Sequence, residues 1–113
     1  MTNPLVVIED NEPTYPDPIK LNRGDVIIVG EEDSEFPGWF WCENQHGKRG
    51  WVPDDCIETV GSESRAKYDY SAVELGARVG ERLFPIELKY GWVLCSNSAG
   101  EKGWLPFAKV REE

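Results

Sequence analysis

The chain reads as an all-β protein made of two consecutive small five-stranded barrels, and three observations predict this. First, residues 38–53 (Gly-Trp-Phe-Trp-Cys-Glu-Asn-Gln-His-Gly-Lys-Arg-Gly-Trp-Val-Pro) recur at 91–106 as Gly-Trp-Val-Leu-Cys-Ser-Asn-Ser-Ala-Gly-Glu-Lys-Gly-Trp-Leu-Pro, displaced by 53 residues without a gap. Second, short β-branched and aromatic runs lie between clusters of Gly, Pro, Asn and Asp, the pattern of a sheet protein. Third, helix signals are nearly absent. A repeat at fixed offset overrides length as a guide to organisation. Two copies are too few for a solenoid, so each is expected to close on its own core. The expected boundaries are 1–60 for the first domain, 61–64 for a linker and 65–113 for the second. Units of about 55 residues bury only roughly 60% of their unfolded surface, so each is marginal alone.

Each element follows from local residue types. Leu5–Glu9 is an apolar run and a first strand. Asn11–Asn22 carries Pro13, Pro16 and Pro18, which cannot donate to a ladder, and is expected as a long loop. Gly24-Asp25 turns into a strand at Val26–Gly30, and Glu31–Pro37 is an acidic loop. Trp39–Glu43 and Arg49–Val52 form a hairpin around Asn44–Gly47, with the glycine supplying a positive φ. Pro53–Cys56 suits one 3₁₀ turn, and Ile57–Val60 closes the first copy. Gly61-Ser62-Glu63-Ser64 is polar and turn-prone. The second copy repeats the plan with strands at Ala66–Tyr70, Arg82–Leu88, Trp92–Ser96, Lys102–Leu105 and Val110-Arg111. Five short strands with one tight hairpin suit a small, partly open barrel.

The chain carries five Trp, four Tyr and four Phe with a net charge of −9. Residues 1–60 hold 13 acids and 4 bases, and residues 61–113 hold 8 of each, so the first copy carries the excess. Such a surface argues against nucleic acid, which rewards basic residues, and favours basic partners or simple solubility. Cys42, Cys56 and Cys95 are an odd number without metal-site spacing, and read as small buried hydrophobes. No cofactor or metal is expected. No secretory leader pattern and no 18-residue apolar stretch is present, so no membrane association is expected and the cytoplasm is the expected location.

Ala66-Lys67-Tyr68-Asp69-Tyr70 resembles the ALYDY strand of Src-homology-3 (SH3) domains. Glu74-Leu75 and Gly80-Glu81 resemble the elements that follow the family's RT loop, Trp92 its first groove tryptophan, and Gly103-Trp104-Leu105-Pro106 its Gly-aromatic-aliphatic-Pro segment. The resemblance spans about 48 residues of the second copy and nearly as many of the first. The whole chain also resembles small bacterial tandem SH3-like proteins. The resemblance implies an aromatic groove for a polyproline II segment. That groove would use Tyr68, Tyr70, Trp92 and Pro106, with Glu74 pairing a ligand cation. In the first copy Trp39 and Pro53 match, and Tyr15 would swing in from the loop. Ala108 and Lys109 replace the family's Asn-Tyr. Val6-Val7-Ile8-Glu9-Asp10 stands where ALYDY is expected in the first copy, and Cys56 stands at its groove-closing tyrosine.

Several residues admit two readings. Trp39 and Trp92 are groove walls or packing residues. Trp51 and Trp104 should face away from Val52 and Leu105, as contact surface or as packing. Only one of Phe40 and Trp41 can face the core. Glu31–Glu35 is a solvated loop or a specificity site. Pro16-Asp17-Pro18 stiffens its loop or docks into a neighbouring groove, which would make the protein self-associate. His46 sits at a hairpin tip, a poor place for a catalyst.

The expected function is a non-catalytic interaction module binding extended or proline-containing, basic peptide segments. The alternative is a structural tandem whose aromatic faces are buried between copies or in a homodimer. An enzyme is disfavoured because the acids lie in loops and no Ser/His/Asp set or phosphate loop is present. An aromatic cage for a methylated cation is a further reading.

Overall fold

The computed structural model describes residues 3–113. The chain is all-β, with strands β1 (Leu5–Val7), β2 (Lys20–Leu21), β3 (Val26–Glu32), β4 (Trp39–Asn44), β5 (Arg49–Pro53), β6 (Ile57–Val60), β7 (Glu63–Ala66), β8 (Tyr70–Ser71), β9 (Arg82–Lys89), β10 (Trp92–Ser96), β11 (Lys102–Pro106) and β12 (Val110–Glu112). Single 3₁₀ turns at Asp54–Cys56 and Phe107–Lys109 precede β6 and β12. The two hairpins form as expected. Asn44 Oδ1 accepts from the His46 and Lys48 N–H groups, Asn97 Oδ1 accepts from Ala99 and Glu101, and Gly47 and Gly100 take φ of 77° and 83°.

Two compact units are present, and they are cut differently from 1–60 and 65–113. One is continuous, Asp17–Ala72. The other is split, joining the residues up to Pro16 with Val73–Glu113. In the continuous unit the sheet order is β5-β4-β3-β7-β6, with β2 and β8 paired separately. Its buried side chains include Ile19, Leu21, Ile27, Trp39, Cys42, Val52, Cys56, Ala66 and Tyr70. In the split unit the order is β11-β10-β9-β1-β12, over a core of Leu5, Val7, Leu75, Ala77, Leu83, Val93, Cys95, Leu105 and Val110. Each order is open, because its two end strands do not pair with one another.

The two units are therefore not consecutive along the chain, and the reason lies in the expected linker. Val60 pairs with Glu63, leaving Gly61-Ser62 as a two-residue turn with Gly61 at φ 63°. Strands joined by two residues close as a hairpin at small entropic cost. β7 accordingly folds back on β6 and lies between β6 and β3 (Glu58↔Arg65, Val26↔Arg65). The corresponding place in the split unit is taken by β1, between β12 and β9 (Val6↔Arg111, Val6↔Arg82). The first strand of each copy thus completes the sheet of the other. Glu63 and Ser64, expected in a linker, are ladder residues.

Register identifies corresponding positions. Ala66 pairs with Ile57, and Lys67 N–H donates to Cys56 O; Val7 pairs with Val110, and Ile8 N–H donates to Lys109 O. Val7 therefore corresponds to Ala66, one residue later than the ALYDY comparison placed it. The counterparts of Tyr68 and Tyr70 are Glu9 and Asn11.

Candidate ligand-binding site

The exchange of strands redistributes the expected groove residues. Tyr68 and Tyr70 lie in the continuous unit with Trp39 and Pro53, whereas Glu74, Trp92, Pro106 and Tyr15 lie in the split unit. The grouping Tyr68/Tyr70/Trp92/Pro106 is not made within either unit. The cause is the Gly61-Ser62 turn, which keeps the Tyr-bearing segment with the copy that precedes it.

In the continuous unit the aromatic residues form a connected series. Trp39 pairs with Pro53 and Trp41 with Trp51 across β4 and β5. The Trp41 and Trp51 rings meet edge to face, with centroids 5.1 Å apart and planes at 67°. Tyr70 Oη donates to Trp51 O at 2.7 Å, and Tyr68 Oη donates to Asp55 Oδ1 at 2.8 Å. Trp39, Pro53 and Tyr70 are buried, which removes them as free contact surface; Trp41, Trp51 and Tyr68 are half-buried.

Beside the two tryptophans lies an open cavity of about 490 Å³, lined by Gly30, Glu31, Glu32, Asp33, Ser34, Trp41 and Trp51. Its loop is held by its own carboxylates. Glu32 Oε2 accepts from Gly38 N–H at 2.9 Å, Asp33 Oδ1 accepts from Glu35 N–H at 2.9 Å, and Asp33 N–H donates to Trp39 O at 2.8 Å. A ladder irregularity between Val29 and Glu32 brings Gly30 against β4, where a Cβ would meet Trp41 O at 2.6 Å. No side chain other than hydrogen fits there, so Gly30 sets the floor of the cavity. The sequence pointed to Trp51 as possible contact surface but not to its pairing with Trp41. The signal for that pairing was the i, i+2 alternation Trp39/Trp41 opposite Trp51.

At the positions of the split unit that correspond to Tyr68, Tyr70 and Cys56 the side chains are polar or charged. Lys109 Nζ donates to Asn11 Oδ1 at 3.1 Å and to Asp10 O at 3.2 Å, and Glu9 lies 3.7 Å away. Asn11 is buried and donates from Nδ2 to Leu75 O at 2.8 Å. Glu74 accepts from Thr14 N–H at 3.2 Å; burial pushes its carboxyl above the usual range, opposed by that bond and by Lys109. Trp92 is half-buried opposite Pro106, Trp104 is 5% exposed, and Tyr15 is 40% exposed.

Burial raises the Cys42 thiol to about 12 and that of Cys95 to about 11, so both stay protonated and inert at neutral pH. Among the described residues no cluster of His, Cys, Asp and Glu is placed to hold a metal ion. Residues 4–60 match the variant SH3 domain. The chain belongs to the variant SH3 domain family. Domains of the SH3 type are in general protein- or peptide-binding modules without chemistry of their own. In this SH3 protein the matched span crosses from the split unit into the continuous one between Pro16 and Asp17.

Proposed function

We propose that the chain is a non-catalytic interaction module that grips extended, basic segments of a protein partner at the Trp41–Trp51 cavity. Both units are read as SH3-like, and the continuous unit is read as the binding one. The observation that carries the proposal is the meeting of two indole rings with Glu31, Glu32 and Asp33 around one open cavity. An Arg or Lys side chain suits both wall types. A ring face attracts a cation by about 0.5–2 kcal/mol, and carboxylates add charge-assisted hydrogen bonds. An extended or proline-containing backbone carries little ordering cost. A small cavity buries little area, so affinity on the order of micromolar is expected. Burial of Trp39 at 4% and Trp104 at 5% favours a structural role for those two rings. A cytoplasmic location is part of the same proposal, and the free thiols of Cys42, Cys56 and Cys95 suit a reducing compartment.

The test is a ¹⁵N–¹H titration with proline-containing peptides that differ only in an Arg-to-Ala change. Saturable shifts are expected at the Trp41 and Trp51 indoles, with about tenfold weaker binding of the Ala peptide, equivalent to about 1.4 kcal/mol. Glu31→Gln should weaken the Arg peptide and leave the Ala peptide unchanged. Shifts centred on Trp92, or equal binding of both peptides, would sink the assignment.

A further inference from the structure

The two exchanged strands are tied to the chain in different ways. β7 is closed onto β6 by the two-residue Gly61-Ser62 turn, so it stays with its own sheet. β1 has no such local closure. It belongs to a unit whose remaining residues begin only at Val73, after the whole of the continuous unit. Yet β1 is an inner strand, bonded to β12 on one side and β9 on the other, with Leu5 0% and Val7 1% exposed.

The bonds that hold this arm run to the split unit. Val7 N–H donates to Glu81 O, Asn11 and Ala77 exchange backbone hydrogen bonds, and Val79 N–H donates to Asp10 Oδ1. Arg78 faces Asp10 and Glu12, and Lys109 faces Glu9. The anchor on the other side of the crossing lies in the continuous unit, where Asp17 pairs with Lys48 and Ile19 N–H donates to Arg49 O. Between the anchors lie exposed Tyr15 and Pro16, next to Asp17 and buried Pro18. Prolines fix φ and hold such a crossing extended.

From this we propose that a second copy of this chain supplies residues 3–16 to the slot between β9 and β12, giving a reciprocally exchanged dimer. Every bond named above is kept when the arm comes from another chain, and only the course of the chain near Pro16 changes. The balance between closed monomer and dimer is then set by the effective concentration of the tethered arm, which for short tethers is on the order of millimolar. Exchange requires pulling an inner strand out of a sheet, so it is slow without unfolding. This inference does not depend on the Trp41–Trp51 cavity.

The test uses the full chain, unfolded and refolded at about 10 µM and at about 1 mM, followed by light scattering on a sizing column. The expected dimer fraction rises from under a tenth to about half across that range, and the dimer persists for hours after dilution. Identity of the contact is read by mixing a Val6→Cys chain with an Arg82→Cys chain, whose positions are register partners. Co-refolding at high concentration should give an interchain disulfide. A mixture of Val6→Cys with Gln45→Cys, at an exposed hairpin tip, should not. Wild-type protein that is monomeric at both concentrations overturns the proposal. So does a dimer that dissociates at once on dilution, or cross-linking as strong with Gln45→Cys as with Arg82→Cys.

Discussion

The continuous and split units share one strand order but dress it differently at the same face. Tyr68, Tyr70 and Cys56 in the first stand where Glu9, Asn11 and Lys109 stand in the second. One set is aromatic, with each tyrosine hydroxyl anchored to the adjoining 3₁₀ turn or strand; the other is a network of charges around a buried asparagine. Net charge differs too. The continuous unit holds 12 acids and 6 bases, the split unit 9 acids and 6 bases, giving −6 and −3. The same backbone frame thus carries two tyrosines bonded into their own unit at one face and, at the matching positions of the other unit, a lysine bonded to a buried asparagine. Function follows the side chains placed on the frame, not the frame.

The comparison is tested most strongly at the exchanged strands. Leu5 in β1 corresponds to Ser64 in β7. Leu5→Ala removes a fully buried side chain and should cost about 2–5 kcal/mol. Ser64→Ala loses only a hydroxyl bonded to Thr59 at 2.8 Å, worth about 0.5–1.5 kcal/mol. Urea unfolding of the two variants measures both. Equal losses would mean that β1 is not an inner strand of its sheet.

A smaller difference separates two glycines related by the repeat. A Cβ on Gly103 would meet backbone atoms of Leu75 and Glu74 at 2.6–2.9 Å, whereas on Gly50 it would meet Ile19 Cγ2 at 2.9 Å and Ala72 Cβ and Ile19 N at 3.2 Å. At Gly103 all three closest atoms are backbone and lie under 3.0 Å, whereas at Gly50 only one contact does. Gly103→Ala should therefore cost about 1–3 kcal/mol by overpacking, and Gly50→Ala less. Thermal unfolding midpoints of the two variants give the order.

Much of the frame was legible from residue types. The Asn-x-x-Gly hairpins, the 3₁₀ turns after Pro53 and Pro106 and the buried cysteines follow from local chemistry. The partnership of strands did not, because Gly61-Ser62 reads equally as a linker or as a hairpin turn; only the pairing Val60↔Glu63 decides between them. That single ambiguity also divides the expected groove residues between the two units. The resemblance groups Tyr68 and Tyr70 with Trp92, and the turn places them in the unit that holds Trp39. The one-residue offset of β1 was hidden for a related reason, since Val6-Val7-Ile8 is apolar in either register. The cavity was visible only in pieces, as an acidic run and a pair of alternating tryptophans, because its closure depends on Gly30 lying against Trp41.

The finest distinction is electrostatic. Glu74 lies in the split unit, and by the same register (Leu21↔Tyr70 against Asn11↔Ala77) its place in the continuous unit is held by Pro18, which does not titrate. Burial raises the Glu74 carboxyl in the folded chain, against the opposing pull of Thr14 N–H and Lys109. A folded pKa above the unfolded one means that ionisation costs more in the folded state. The stability associated with this group is fully present below the ordinary carboxylate range, and is lost as pH rises through the raised value. Glu74→Gln retains an oxygen acceptor for Thr14 N–H but cannot ionise. The variant should match wild type at low pH and gain on it as pH rises to neutrality, which unfolding curves across that range will show. A parallel offset at all pH values would mean that burial and the opposing pull cancel, and a gain at low pH instead would mean that Thr14 N–H and the Lys109 charge outweigh burial. Glu74 would then belong to the ionic network around Asn11 and not oppose it.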